Sequence, residues 1–240
     1  MWSILNVNRS SAVRVGRAKG LFFYVKNLFS VLLGSCLVFS SALVSANNEL
    51  SDEALALAQE WAHIQYEVPK QDKLEQFEQL IDKAHQSLAA HPDQPDLLIW
   101  NGIITSVYAG EVGGLSALGK VKEAKAYYEQ ALKIDERALN GSAYASLATL
   151  YYKVPGWPLS FGDSDMAREY FRKALEIAPD SIDSNYLYAS YLVEEDGEDS
   201  YDLARQYLQR AMASDPRPLR PLADQGRRQE IKHLLDQLKE

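Results

Sequence analysis

Apolar residues after position 50 recur at intervals of three and four, which is the periodicity of amphipathic helices. Ser51 is a suitable N-cap for the first segment, and Asp52 and Glu53 follow it as favourable first-turn acids. Pro69 separates that segment from a second one over residues 71–90. Strand-like alternation of useful length does not occur, so the pattern predicts an all-α fold.

A short spacing recurs near the end of three later helical segments. An alanine is followed after four positions by a large apolar residue, and after three more by a second alanine. The three occurrences are Ala124, Tyr128 and Ala131; Ala167, Phe171 and Ala174; and Ala204, Leu208 and Ala211. Alanine lets two helices approach closely, and the large residue fills the gap beside it. One pair cannot bury its own apolar side, so the repeat predicts helix pairs that stack on each other.

This spacing resembles the second helix of a tetratricopeptide repeat. The pattern of the first helix is matched by Tyr144, Leu147, Ala148 and Tyr151. The resemblance implies an α-solenoid of helix pairs whose first helices line a concave groove for a protein or peptide partner. The interval between repeats departs from the usual period of about 34 residues. Most of the excess lies in an inserted, irregular loop over residues 153–163.

Two interpretations of the inserted loop are open. Its prolines and glycines fix its path, while Trp157 and Phe161 are strongly apolar. These rings either pin the loop to the stack or form the rim of a binding surface. Together with residues 98–110 and 217–228, the loop resembles the T components of tripartite ATP-independent periplasmic transporters. That resemblance implies an accessory protein that binds a small apolar ligand or a solute-binding protein.

The geometry of the tetratricopeptide family implies which side chains face the groove. They combine aromatic, aliphatic, hydroxyl and acidic groups, a mixture that suits an extended peptide. The predicted groove positions are Ile99, Ile103, Ser106, Thr149, Tyr152, Asp183, Tyr186 and Ser190. A protein scaffold that binds a partner in the cell envelope is therefore the first expectation for function, and the transporter accessory is the alternative.

The first 46 residues have the organisation of a signal peptide. They carry five basic residues and no acidic one, although the net charge of the whole chain is -8. An apolar core over residues 28–39 leads to Val44-Ser45-Ala46, which predicts cleavage after Ala46 and a periplasmic protein. Leu33-Gly34-Ser35-Cys36 resembles a lipobox, so a lipoprotein anchored at Cys36 is one alternative. An uncleaved anchor is another, and membrane contact is expected only with such an anchor.

The predicted organisation has four parts. A signal peptide over 1–46 precedes an N-terminal helical pair or cap over 47–94, tetratricopeptide-like repeats over 95–216, and a closing helix over 217–240. No catalytic residue, metal site or cofactor is predicted. The four histidines lack the spacing of a zinc helix, and cleavage after Ala46 would remove the sole cysteine. The acidic net charge gives no sign of nucleic-acid binding.

Overall fold

Nine α-helices account for most of residues 50–238, the part of the chain that the computed structural model describes. The predicted signal peptide, with Cys36 and Ala46, lies outside this part. The helices are α1 (Asp52–Tyr66), α2 (Lys70–Ala90), α3 (Pro95–Val112), α4 (Ala117–Ile134), α5 (Ala138–Lys153), α6 (Ser164–Ile177), α7 (Ile182–Tyr191), α8 (Tyr201–Ala213) and α9 (Pro221–Gln237). A π-helical turn and a 3-10 turn connect α7 to α8.

The helices begin where short polar side chains satisfy the free backbone N–H groups. The hydroxyl of Ser51 accepts a hydrogen bond from the backbone N–H of Ala54 and caps α1. Asp163 caps α6, and Ser181 caps α7 in the same manner. Within residues 50–238, none of the helices combines the length and the hydropathy needed to cross a membrane.

Successive helices pack as antiparallel pairs, and the repeated alanine spacing lies at their interfaces. All six alanines of the three repeats are fully buried, as are Tyr128, Phe171 and Leu208 between them. Tyr128 packs on Gly102 of α3, where a Cβ atom would lie 2.4 Å from the tyrosine ring. The absence of a side chain at Gly102 therefore sets how closely α3 and α4 approach. These contacts confirm the α-solenoid of helix pairs.

The solenoid closes on itself. Helices α1, α3, α5 and α7 pack side by side, and α9 contacts both α7 and α1. These five helices form an inner ring, with α2, α4, α6 and α8 packed outside it. At the junction, Gly226 of α9 lies against the Tyr66 ring of α1. The predicted closing helix thus joins the two ends of the repeat stack.

The inserted loop folds back through its backbone and one aromatic ring. The N–H of Gly162 donates to the carbonyl of Pro155 at 3.0 Å, and the N–H of Asp163 donates to Tyr151 at 2.8 Å. The ring of Phe161 packs edge-on against Tyr151, with centroids 5.2 Å apart. Trp157 is 90% exposed. Phe161 therefore pins the loop, whereas Trp157 does not.

We predict that Gly226→Ala destabilises the fold. A Cβ at this position would lie 2.4 Å from the Tyr66 ring, so α9 must move away from α1. The expected loss is about 1–3 kcal/mol in the free energy of unfolding, the usual cost of overpacking. Chemical denaturation measures it. Gly119→Ala in α4 is the matched control, because no atom lies within 4 Å of its Cβ position. A Gly226→Ala variant as stable as that control would contradict the packing.

Candidate functional site

The inner ring surrounds a partly enclosed cavity of about 1360 Å³. It exceeds the roughly 300–1,000 Å³ of typical small-molecule sites. The five inner helices supply about half of the wall. Most of the rest comes from α4, from the connection between α6 and α7, and from the connection between α8 and α9. Aromatic and aliphatic side chains predominate, among them Trp61, Trp100, Ile103, Val107, Leu150 and Leu187. The cavity therefore offers an extended apolar surface within the solenoid.

Three aromatic rings line one part of the wall, at the junction of α1 and α3. The ring centroids of Trp61 and Trp100 are 5.9 Å apart, and Tyr66 packs edge-on against Trp61 at the same distance. Both tryptophan Nε1 atoms are buried, and neither has a hydrogen-bond partner among the described residues. Trp61 and Trp100 also belong to the core, with 8% and 2% of their surface exposed, so a small part of each ring contributes to the apolar wall.

A cluster of charged residues joins α7, α9 and the connection before α9. Asp183 accepts hydrogen bonds from Arg217 Nη1 at 2.6 Å and from Arg227 Nε at 2.9 Å. Arg217 also donates to Asp224, and Arg227 donates to Glu230. Burial opposes the charged form of Asp183, but the neighbouring arginines outweigh it and hold its pKa well below the usual range. The paired charges fix α9 beside α7.

The structure distributes the predicted groove residues between the cavity and the protein interior. Ile103, Ser106, Thr149 and Asp183 line the cavity. Ile99 was predicted to face the groove, and this is wrong: its side chain is fully buried in the core with α4. The reason is packing. Helix α3 is covered on nearly all sides, so its apolar residues do not show which side faces the groove.

The remaining predicted residues lie away from the cavity wall. Tyr152 packs against Tyr191, with ring centroids 5.4 Å apart, and Tyr186 lies beneath the guanidinium of Arg227 at 4.4 Å. The hydroxyl of Ser190 donates to the carbonyl of Tyr186. Trp157 and Phe161 belong to the inserted loop, outside the cavity. Contact of any of these residues with a partner stays a prediction.

Sequence reasoning missed the residues that α1 and α9 bring to the cavity. Trp61, Tyr66 and Arg220 line it together with Trp100. The two terminal segments carry no clear repeat pattern, so the repeat spacing could not align them with the inner helices. Among residues 50–238, no group of three or more histidine, cysteine and acidic side chains is arranged to hold a metal ion.

The model of the tetratricopeptide repeat family matches residues 115–137 and 159–181. These two segments contain α4 and α6, and with them the first two occurrences of the alanine spacing. The match supports a tetratricopeptide-repeat protein. Such repeats generally mediate protein–protein interactions, and the proteins that carry them are typically non-catalytic scaffolds. No curated protein matches the chain. The resemblance to transporter T components stays a prediction.

We predict that Asp183→Asn destabilises the protein by about 2–4 kcal/mol at pH 7, because it leaves Arg217 and Arg227 without their shared carboxylate. A carboxylate with a depressed pKa stabilises the fold above its unfolded pKa of about 3.9, and this contribution is lost as the pH falls further. The difference from wild type should therefore shrink by about 1 kcal/mol at pH 3.

Denaturation at both pH values measures this difference. The control is Asp165→Asn. Asp165 is the second residue of α6, as Asp183 is of α7, but its side chain is exposed. It should cost less than about 1 kcal/mol. Equal effects of the two substitutions would show that the Asp183 cluster does not hold α9 in place.

Proposed function

We propose that this chain is a non-catalytic accessory protein of the cell envelope that holds an apolar small molecule inside its helical ring. The observation that carries the proposal is the closure of the solenoid by α9 against α1 and α7. Closure replaces the open concave groove with a cavity of about 1360 Å³. An occupant of that cavity must fit within the ring, which favours a small molecule over an extended peptide.

The hydroxyl groups of the wall support an apolar ligand. Ser106 Oγ donates to the carbonyl of Ile103, and Thr149 Oγ1 donates to Ala145, both at 2.9 Å. Ser142 Oγ donates to Leu139 in the same way. Because each of these three hydroxyls donates its proton within its own helix, none of the three offers that proton to a polar ligand. Burial of apolar ligand surface would supply most of the affinity, at about 25 cal/mol per Å².

The outer surface leaves room for the protein partner that tetratricopeptide repeats generally bind. Helices α2, α4, α6 and α8 lie outside the ring, and the inserted loop exposes Trp157. A ligand inside and a protein partner outside fit the accessory role implied by the resemblance to transporter T components. In that role, the partner would be a solute-binding protein or a permease of the cell envelope.

We predict saturable binding of N-phenyl-1-naphthylamine, a neutral apolar fluorophore, to the purified protein. Thr149 lines the cavity, so Thr149→Phe should fill part of it and weaken binding at least about tenfold, or about 1.4 kcal/mol. Fluorescence titration measures the affinity, and circular dichroism checks that the variant is folded. Gln79→Phe is the control, because Gln79 is exposed on α2. Absence of saturable binding, or equal binding by both variants, would contradict the proposal.

The location in the envelope rests on the signal-peptide pattern of residues 1–46. We predict that intact-mass analysis of the protein from its native cells gives a chain that begins at Asn47. Cys36→Ser should leave that mass unchanged. A lipid-modified chain beginning at Cys36 would replace periplasmic export with membrane anchoring, and a full-length mass would indicate an uncleaved anchor.

A further inference from the structure

Arg220 differs from the other arginines that line the cavity. Its guanidinium lies over the Trp100 ring, 5.1 Å from the centroid. Its Nε atom is buried and has no hydrogen-bond partner, and no carboxylate among residues 50–238 forms an ion pair with it. An arginine stays protonated in proteins and carries five N–H donors, so this side chain has unused capacity to bind an anion.

The acidic groups nearest to Arg220 are occupied by other arginines. Asp183 is shared by Arg217 and Arg227, and Asp224 is held by Arg217. Burial, together with these two arginines, lowers the pKa of Arg220 although both aspartates act against the change. Burying the positive charge of Arg220 is therefore only partly offset by its neighbours. An anion bound beside it would lower the free-energy cost of that burial.

An apolar stripe leads away from this charge along α3. Trp100, Ile103 and Val107 all line the cavity, and their spacing of three and four places them on one face of the helix. At 1.5 Å per residue, they cover about 10 Å of the wall. A charged group at one end and an apolar stripe beside it match the two parts of an amphiphilic molecule.

We infer that the ligand of the cavity is an apolar molecule with one carboxylate, held with its carboxylate on Arg220 and its apolar body along α3. The inference rests on the proposed function, because it specifies the ligand of the same cavity. A carboxylate is favoured over a phosphate monoester because Asp183 and Asp224 lie near Arg220 and would repel a second negative charge. The planar guanidinium also matches a carboxylate in bidentate geometry.

The test compares a carboxylate probe with its neutral methyl ester. cis-Parinaric acid and its methyl ester have the same fluorescent chain, and both accept excitation energy from the nearby Trp61 and Trp100. The purified protein is titrated with each at pH 7.5. The acid should bind at least about tenfold more tightly than the ester, since hydrogen bonds to a charged group contribute more than neutral ones. A long-chain alkyl phosphate is titrated in competition and should bind more weakly than the carboxylate.

Two substitutions locate the effect at Arg220. Arg220→Met should weaken binding of the acid about tenfold and leave the ester within about twofold. Arg220→Lys should recover part of the preference for the acid, because it restores the charge without the fork of donors. Arg172→Met is the control, since Arg172 is exposed on α6 and pairs with Glu176. If Arg220→Met is unfolded by circular dichroism, Arg220→Lys and the wild-type preference still decide the question.

The outcomes separate this inference from the proposed function. Equal affinity of wild type for acid and ester would overturn the carboxylate inference, while binding of the neutral probe would leave the apolar cavity intact. A preference for the acid that survives in Arg220→Met would also overturn it, by placing the anion elsewhere. Tighter binding of the alkyl phosphate would replace the carboxylate with a phosphate. Failure of every probe to bind would remove both proposals.

Discussion

The contact between α1 and α9 determines what kind of surface this solenoid presents. Stacked helix pairs form an open superhelix unless their two ends meet, and here Gly226 lets α9 approach the Tyr66 ring closely enough to join them. The ion pairs of Asp183 with Arg217 and Arg227 hold the same helix against α7. One end helix is thus packed from two sides. Its position converts the concave face into the wall of a cavity.

The cavity and the charged cluster follow from this closure. Trp61, Tyr66 and Trp100 line the cavity, and the connection before α9 brings Arg220 over Trp100. Asp183 compensates two of the nearby arginines but forms no ion pair with the third. An apolar wall beside one arginine that forms no ion pair within residues 50–238 can recognise a ligand by two features, its apolar body and its negative charge. Both the proposed function and the inferred carboxylate depend on α9 remaining in place.

Closure also separates two surfaces that an open solenoid would combine. The inner helices supply about half of the cavity wall, whereas the outer helices α2 and α8 contribute no residue to it. Trp157 at the loop is almost fully exposed, while Phe161 four positions later holds the loop through Tyr151. A protein that binds a small molecule inside can therefore contact a protein partner outside, without either occupant displacing the other.

The alanine spacing of α4, α6 and α8 by itself determined the helix pairs and the all-α fold, because close approach of two helices needs small residues at fixed intervals. The sequence did not determine which side of α3 faces the groove. Its residues are apolar on nearly every side, so Ile99 was assigned to the groove although it lies in the core. Likewise, the contact of Gly102 with Tyr128, which sets the approach of α3 to α4, is known only from the structure.

The meeting of α1 with α9 was decided by the tertiary structure alone. Trp61 and Arg220 are far apart along the chain, and no local periodicity relates them; they line one cavity because four helix pairs turn the chain through a ring. Repeat spacing describes neighbours, since each pair contacts mainly the next. Whether the two ends meet depends on the total curvature of the stack. That curvature is set by the packing of every helix pair along the chain.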